Sequence, residues 1–405
     1  MRKNILFLGF AIPDEEMLKV FSNDKFAAIQ THKFNWNFIK ACESENTYDF
    51  TYISARPVSD YPRYDKIYIK KHNWIVSLFN KNIKILELPY CNTTLLKIIT
   101  RFFSGLYYSL KKYYRVKNKG GVIVYSVHVP FMLIGYIVSR LFKIDLVCIW
   151  TDPPSVRSNK ENKFKSKLRN FELLVSKFLM KKADKLIVLT KYLAEDFAPK
   201  KPYIVVEGIL DLDNLKKVDF SNSKKNCIKF VYTGSLSKRY GIENIVKGFT
   251  LSKNSALILE IYGKGDFEDE LKSICNNHNN IVYKGFLTGN NITKVQQESD
   301  FLINARSDED EYTKYSFPSK TLEYMVSGNP VITTMLSGIP EEYRDYLIVL
   351  ENNDPETIMN AVEKATFMTH KERKELSKRA FDFVANKNYI IQGKRIVEFI
   401  GQNTK

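Results

Sequence analysis

The string Phe317-Pro-Ser-Lys-Thr-Leu-Glu-Tyr-Met-Val-Ser-Gly-Asn-Pro-Val-Ile332 sets a lysine and a glutamate three residues apart, just past a proline. Pro318 suits the first turn of a helix, where its missing N–H is not needed. Ser319 and Lys320 then fall at the positive end of that helix, where an anion docks. Glu323 shares nearly the same face as Lys320. A carboxylate there can accept both hydroxyls of a ribose cis-diol, as the acidic residue of dinucleotide folds does. Gly328-Asn-Pro330 ends the helix, and Val331-Ile-Thr333 reads as a buried strand. The competing reading is a capped surface helix with a Lys–Glu pair; the length of the string weighs against it.

Three further segments end apolar runs in glycine: Val231-Tyr-Thr-Gly-Ser235, Ile261-Tyr-Gly-Lys-Gly265 and Tyr283-Lys-Gly-Phe286. At the first, Gly234 lets backbone approach a ligand, and N–H groups around Ser235 can hold phosphate oxygens. Lys238 and Arg239 add positive charge beside it, and Arg306 is a further cation beyond the run Phe301–Asn304. Gly263 and the turn at Phe286 extend this into a rim for a flat or extended ligand. Each turn taken singly is also ordinary turn chemistry. In the first half, Tyr125-Ser-Val-His-Val-Pro130 and Trp150-Thr-Asp-Pro-Pro154 follow apolar runs. They make His128 and Asp152 the candidates for contact with a reacting group. A hydrogen-bonded histidine near a core is the other reading of His128.

These residues need elements to carry them. Short apolar runs at Asn4–Phe10, Tyr48–Ile53, Ile83–Leu88, Val122–Val127, Asp145–Trp150 and Lys185–Leu189 alternate with helical patterns. The alternation restarts at Ile228–Thr233 and continues through Leu257–Tyr262, Ile281–Tyr283, Phe301–Asn304, Pro330–Thr333 and Leu347–Leu350. Strands alternating with helices predict an α/β class with parallel sheets. Two doubly wound, Rossmann-like domains are expected, facing across a cleft, with ligands at the carboxyl ends of the strands. The expected boundaries are 1–205 and 206–385, the polar stretch Glu207–Lys225 connecting them. Residues 386–405 are expected to form a helix crossing back to the first domain.

Composition narrows the chemistry. The five cysteines are scattered and form no CxxC pair, which fits a reducing compartment and excludes a thiolate metal site. The five histidines form no HExxH motif. The start, Met1 to Gly9, reads as a strand rather than a signal peptide. No stretch approaches the ~18 apolar residues of a membrane span. Residues 1–200 hold 34 Lys+Arg against 17 Asp+Glu, while residues 201–405 hold 28 of each. The excess positive charge therefore lies wholly in the first half, which implies an anionic partner there. Without a helix-turn-helix, zinc finger or RNP-type string, nucleic acid is not that partner. Phe103, Leu106, Tyr107, Leu110, Tyr113 and Tyr114 recur at helical spacing, and Lys111, Lys112, Arg115, Lys117 and Lys119 crowd the same segment. Lys163, Lys165, Lys167 and Arg169 make a second basic cluster. Such an arrangement holds a helix on an anionic membrane surface; a core-facing stripe with solvated lysines is the alternative.

The second half resembles the donor domain of family-four GT-B glycosyltransferases. The residues that carry the resemblance are Phe317-Pro-Ser-Lys-x-x-Glu-Tyr-Met-x-Ser-Gly-x-Pro-Val-Ile332, similar to the signature in bacterial enzymes of capsule, O-antigen and exopolysaccharide assembly. The resemblance implies a hexosyltransferase that works with retention of configuration and without a metal ion or other cofactor. It implies that Glu323 binds the ribose, that the Gly234 turn faces the diphosphate, and that backbone near Phe286 lies against the base. By the same analogy the loop from Gly9 lies close to the reacting sugar. The implied donor is a UDP- or GDP-sugar. The implied acceptor is a lipid diphosphate-linked or other glycan at the cytoplasmic face of the plasma membrane. Two departures stand out. A first Glu that the family often carries is replaced by Tyr315, and Ser235 and Tyr240 stand where the family often places Arg and Lys. A nucleotide-sugar epimerase of the same fold and a catalytically silent partner subunit are the alternatives. The first needs an acid–base pair that is not evident here; the second draws on Tyr315.

Overall fold

The computed structural model describes residues 2–24, 29–154, 163–213, 227–287, 290–309 and 311–402. The chain divides into two units, Met1–Ile209 with Tyr389–Lys405, and Leu210–Asn388. Among the described residues no helix is long and apolar enough to cross a membrane.

The first unit contains strands β1 (Asn4–Gly9), β2 (Asp49–Ser54), β3 (Tyr68–Ile69), β4 (His72–Leu78), β5 (Lys81–Glu87), β6 (Tyr90–Cys91), β7 (Lys119–Tyr125), β8 (Leu146–Trp150), β9 (Lys185–Val188) and β10 (Tyr203–Val205). Its helices are α1 (Asp14–Asn23), α2 (Ile29–Ser44), α3 (Thr94–Tyr113), α4 (Val129–Phe142), α5 (Lys163–Met180) and α6 (Lys191–Phe197). Eight strands form one sheet in the order β10-β9-β8-β7-β1-β2-β5-β4, and β3 pairs with β6 apart from it. The pairings in the large sheet are parallel except β4 with β5. Ile5, Leu6, Phe7 and Leu8 are all buried, because a central parallel strand is covered on both faces and so reads as an unbroken apolar run.

The edge strand β4 was not evident from the sequence. It leaves Asn73, Ile75 and Ser77 exposed and Trp74, Val76 and Leu78 half-buried. It turns into β5 through Phe79 and Asn80, both at positive φ (50° and 59°), the backbone of a two-residue hairpin turn.

The second unit contains β11 (Ile228–Thr233), β12 (Leu257–Tyr262), β13 (Ile281–Tyr283), β14 (Phe301–Asn304), β15 (Val331–Thr334) and β16 (Ile348–Leu350). Its helices are α7 (Ile242–Thr250), α8 (Glu268–Asn277), α9 (Asn290–Gln297), α10 (Ser319–Met325), α11 (Pro355–Thr366) and α12 (His370–Ala385). The sheet is wholly parallel, in the order β13-β12-β11-β14-β15-β16. Counted within the unit this is 3-2-1-4-5-6, the doubly wound order whose switch point lies between the first and fourth strands. Phe230, Phe249 and Phe301 centre its core, with Phe230 stacked on Phe301 at 5.0 Å.

Helix α13 (Tyr389–Gly401) follows the second unit in sequence but packs in the first, along α2. A Cβ at Gly393 would overlap the Ala41 carbonyl oxygen. The Lys185 ammonium, only 1% exposed, donates to Ile400 O (2.6 Å) and to Gln402 O, and pairs with Asp145 at 3.2 Å. Of the expected connection Glu207–Lys225, residues 214–225 lie outside the described residues.

Candidate active site

In the second unit, the carboxyl ends of β11 and β14 flank the switch point. Beyond β11, Gly234 takes φ +145°, a conformation that a side chain disfavours. Its N–H continues the sheet, donating to Tyr262 O at 2.8 Å, and Leu236 N–H donates to Lys264 O at 2.9 Å. Both are therefore engaged, and exposed Ser235 lies between them. The strand end is locked from beneath. Thr233 N–H donates to the Tyr324 hydroxyl (2.8 Å), which donates back to Thr233 O (3.1 Å), while Gln296 donates to the Thr233 hydroxyl at 2.9 Å.

Lys320 lies directly against this turn. A Cβ on Gly234 would overlap its Nζ and Cε. The ammonium donates to the Tyr232 hydroxyl at 3.1 Å and sits 4.5 Å from the centre of that ring. The Tyr232 hydroxyl donates in turn to Ser235 O at 2.7 Å. Lys320 makes no salt bridge among the described residues. Burial lowers its pKa, and the nearby Tyr324 and Glu323 offset this in part. It lies in the first turn of α10, with Ser319 exposed at the first position and half-buried Glu323 one turn on. Pro318 occupies the N-cap rather than the expected first turn, and the helix is only 7 residues long.

The other expected cations divide. Arg306, 7% exposed, lies past β14 with its guanidinium 5.3 Å from the Tyr240 ring and 5.9 Å from the Tyr312 ring. Arg239 approaches Tyr312 at 5.2 Å. The two arginines thus share one aromatic ring, and the backbone at Gly241 closes on Ala305 so tightly that a Cβ would overlap its carbonyl. Lys238 turns away, pairing with Glu270 at 2.6 Å and Glu243 at 3.4 Å. The hydrogen bond to Glu270 raises its pKa. A small cavity of about 190 Å³ there is lined by Lys238 and Arg239 but also by Glu243 and Glu309, a mixed field unsuited to a dianion.

Gly263 is set against Gly234, whose carbonyl a Cβ on Gly263 would overlap. Its N–H donates to Gly285 O at 2.9 Å, and its own carbonyl accepts from the Tyr283 hydroxyl at 2.9 Å. The three glycine turns therefore form one continuous rim. Beyond it Phe286 is 47% exposed, with Lys264 Nζ 4.9 Å from its ring centre. Lys264 and Tyr232 are the residues of this rim that the sequence did not single out. The glycine flanking Lys264 on each side was its only signal.

In the first unit, strand order reverses at β1, between β2 and β7. Gly9 ends β1, His128 follows β7, and Asp152 follows β8. The space a Cβ would need at Gly9 is occupied by Phe7 (2.6 Å) and the Asn35 amide (2.8 Å), so packing alone accounts for glycine there. His128 is wedged between Phe10 and Phe131, with ring centres at 5.1 and 4.8 Å. Burial, reinforced by Arg101 and Lys97, holds its pKa well below 6.5. Asp152 is exposed and accepts from the Thr151 hydroxyl at 2.8 Å.

Comparison with known proteins bears on the fold and the class of enzyme. Residues 213–383 match the model of the family described as glycosyl transferases group 1. An uncharacterized glycosyltransferase (MJ1069) of Methanocaldococcus jannaschii is 24% identical over 378 residues, covering 89% of this chain and 88% of that one. Sucrose-phosphate synthase from Thermosynechococcus elongatus superposes with a TM-score of 0.68 at 14% identity, covering 98% of each chain. Anabaena Alr3699/HepE, solved in complex with UDP, gives 0.62 at 11% identity and covers 98% of each chain. The chain, whose residues 213–383 match the glycosyl transferases group 1 model, is thus a transferase enzyme of the GT-B fold class.

Proposed function

We propose that the enzyme moves a hexosyl group, with retention of configuration, from a UDP- or GDP-sugar to a lipid diphosphate-linked glycan in bacterial surface polysaccharide assembly. What carries the donor half of this reading is the Lys320 ammonium. It is partly buried, without a carboxylate partner, and laid on Gly234 at the switch point. A buried cation without a counter-charge is unfavourable, and an incoming diphosphate supplies that charge. Arg239, past β11, and Arg306, past β14, are gathered on Tyr312. Glu323 takes the ribose hydroxyls, and the base lies along the rim toward Phe286. The UDP bound by the Anabaena protein supports a uridine donor.

In the reaction the bond from the anomeric carbon to the diphosphate oxygen breaks and a bond to the acceptor oxygen forms on the same face. The acceptor's proton passes to the departing phosphate oxygen. Negative charge grows on the diphosphate, and fixed cations aimed at it are the main source of rate. This reading gives that task to Lys320, Arg306 and Arg239, with no metal ion. Asp152 orients the acceptor or the transferred sugar, and His128 acts as a neutral group.

The acceptor half rests on α3. It buries Lys97, Arg101, Gly105, Ser109 and Tyr113 and turns Leu96, Ile99, Phe103, Tyr107 and Tyr114 outward. A helix that hides its small and polar residues and shows its apolar ones has a second apolar partner. A membrane with lipid-linked acceptors at its cytoplasmic face fits, given the basic first half. The side chains of the second basic cluster, Lys163 to Arg169, lie outside the described ones.

The test is thermal stabilisation by UDP, GDP and ADP without metal, on wild type and Glu323→Ala. A ligand that binds only the folded state raises the melting temperature. A shift with one nucleotide that the variant loses supports the donor site. No shift with any of the three refutes it.

A further inference from the structure

A second cavity, of about 510 Å³, opens in the first unit beneath the last turns of α3. This is within the ~300–1,000 Å³ range of small-molecule sites. Its wall is Tyr108, Lys111, Lys112 and Arg115 from α3 and the segment after it, with Lys71 and Lys84 from the edge of the sheet. Its floor includes Phe50 and Thr51 at the start of β2. It runs along β2, β5 and β4, where Leu86 and Asn73 also line it, and none of Gly9, His128 and Asp152 does. Gly9, His128 and Asp152 lie at the carboxyl ends of the neighbouring parallel strands.

Five cations line this cavity and no carboxylate does. Some other cations of the unit do have carboxylate partners. Arg56 pairs with Glu87 at 2.6 Å and Glu16 at 3.3 Å, Lys97 with Asp60 at 2.7 Å, Arg140 with Asp184 at 3.1 Å, and Lys81 with Glu43. Lys71, Lys84, Lys111, Lys112 and Arg115 have no such partner among the described residues. Their contacts are with rings and a phenol: Lys71 lies 5.6 Å from the Tyr108 ring centre, and Lys111 donates to the Tyr107 hydroxyl at 3.1 Å. Lys112 is half-buried, and burial together with Lys71 and Lys84 lowers its pKa. Like charges gathered in a concave site repel one another, so the arrangement favours a multiply charged anion. Beside it runs the outward stripe of α3, where Phe103 is 64% and Tyr114 76% exposed.

We propose that this cavity binds the phosphorylated headgroup of an anionic membrane lipid, at a site separate from both the donor and the acceptor, while the α3 stripe enters the acyl layer. Charge complementarity fixes the headgroup chemistry, and the neighbouring stripe fixes the source as lipid rather than a free phosphate compound. The assignment rests on the membrane reading of α3 given above.

Flotation with phosphatidylcholine vesicles containing either phosphatidic acid or phosphatidylglycerol, at equal mole fraction, tests it. A phosphomonoester carries more charge than a phosphodiester at neutral pH. Wild type is expected to prefer phosphatidic acid. Lys84→Ala/Lys112→Ala is expected to lose about thirty-fold in binding and to lose that preference. Lys191→Ala/Lys200→Ala removes the same charge near β9 and β10, at the opposite edge of the sheet, and is expected to retain both. Equal losses in the two variants mean diffuse surface charge and overturn the cavity assignment alone. Failure of wild type to float overturns the membrane reading as well. Stabilisation by inorganic pyrophosphate without flotation, lost in Lys84→Ala/Lys112→Ala, replaces the lipid with a soluble phosphate. Stabilisation by UDP, measured alongside, stays intact in every case if the donor site stands.

Discussion

Lys320 fills the space that a side chain on Gly234 would occupy, so the absence of a Cβ at one residue and the position of the ammonium at the other are one structural fact. The lysine reaches the turn from α10, and Tyr232 holds it there at 3.1 Å. Gly234→Ala therefore does two things: it forces a Cβ into a φ of +145° and it displaces the ammonium. The backbone strain costs on the order of 1–3 kcal/mol. Loss of a charge-assisted contact to phosphate removes about 1.5–3 kcal/mol, or roughly ten- to a hundred-fold in nucleotide affinity. Calorimetric titration with the preferred nucleotide diphosphate measures this. An unchanged dissociation constant would remove Gly234 and Lys320 from the donor site.

Lys320→Met keeps the aliphatic stem and removes the charge. Turnover is expected to fall by about 10²–10³, the effect of deleting one group that stabilises developing charge. Stability of the free enzyme should hold or rise, since the ammonium is partly buried without a carboxylate partner. The pH dependence has a definite sign. Burial lowers the folded-state pKa below 10.5, so the folded form gives up its proton first as pH rises. Wild-type stability therefore gains from this group between the lowered pKa and 10.5. Nucleotide diphosphate binding, which needs the ammonium, weakens over the same rise. Lys320→Met should show neither trend in alkaline melting and binding series.

The second unit was legible because its strands lie in a parallel sheet and read as short apolar runs, the first three of them running into a glycine turn. Val331-Ile-Thr333 shows such a run, and Ile261-Tyr-Gly263 shows the glycine end. The rim of three glycines followed from those ends. The contact of Lys320 with Gly234 did not, because it joins positions 86 apart that only the sheet order brings together. Periodicity also failed to orient α3. Phe103, Tyr107 and Tyr114 repeat at helical spacing, but so do Gly105, Ser109 and Tyr113, and the helix buries the second set. Tyr113 goes inward to donate to Asn4 O at 2.6 Å. Lys238 looked as suitable for phosphate as Arg239 until Glu243 and Glu270, in two different helices, claimed it.

His128 is expected to stay neutral well below the ordinary histidine range. Burial between Phe10 and Phe131, with Arg101 and Lys97 nearby, depresses its pKa far under 6.5. The unfolded chain takes up a proton near 6.5 and the folded one does not, so wild type loses stability as pH falls below 6.5. His128→Phe, which suits the aromatic slot, should flatten that acid limb in melting curves. Proton-detected titration of the ring would show no transition near 6.5. A transition there would mean that His128 is solvated and free to act as an acid or base.

Gly393→Ala tests whether α13 belongs structurally to the first unit. The new methyl would overlap the Ala41 carbonyl oxygen on α2, and a backbone atom cannot swing aside as a side chain does. Overpacking of this kind costs about 1–3 kcal/mol, roughly 2–12 °C in melting temperature for a unit of this size. Lys185→Met attacks the same docking from the other end. It removes the donor to Ile400 O and Gln402 O and the ion pair with Asp145. Both variants should expose the last helix to protease before either sheet unfolds, and nucleotide binding in the second unit should survive in both. A melting temperature and cleavage pattern equal to wild type would show that α13 contributes little to holding the first unit together.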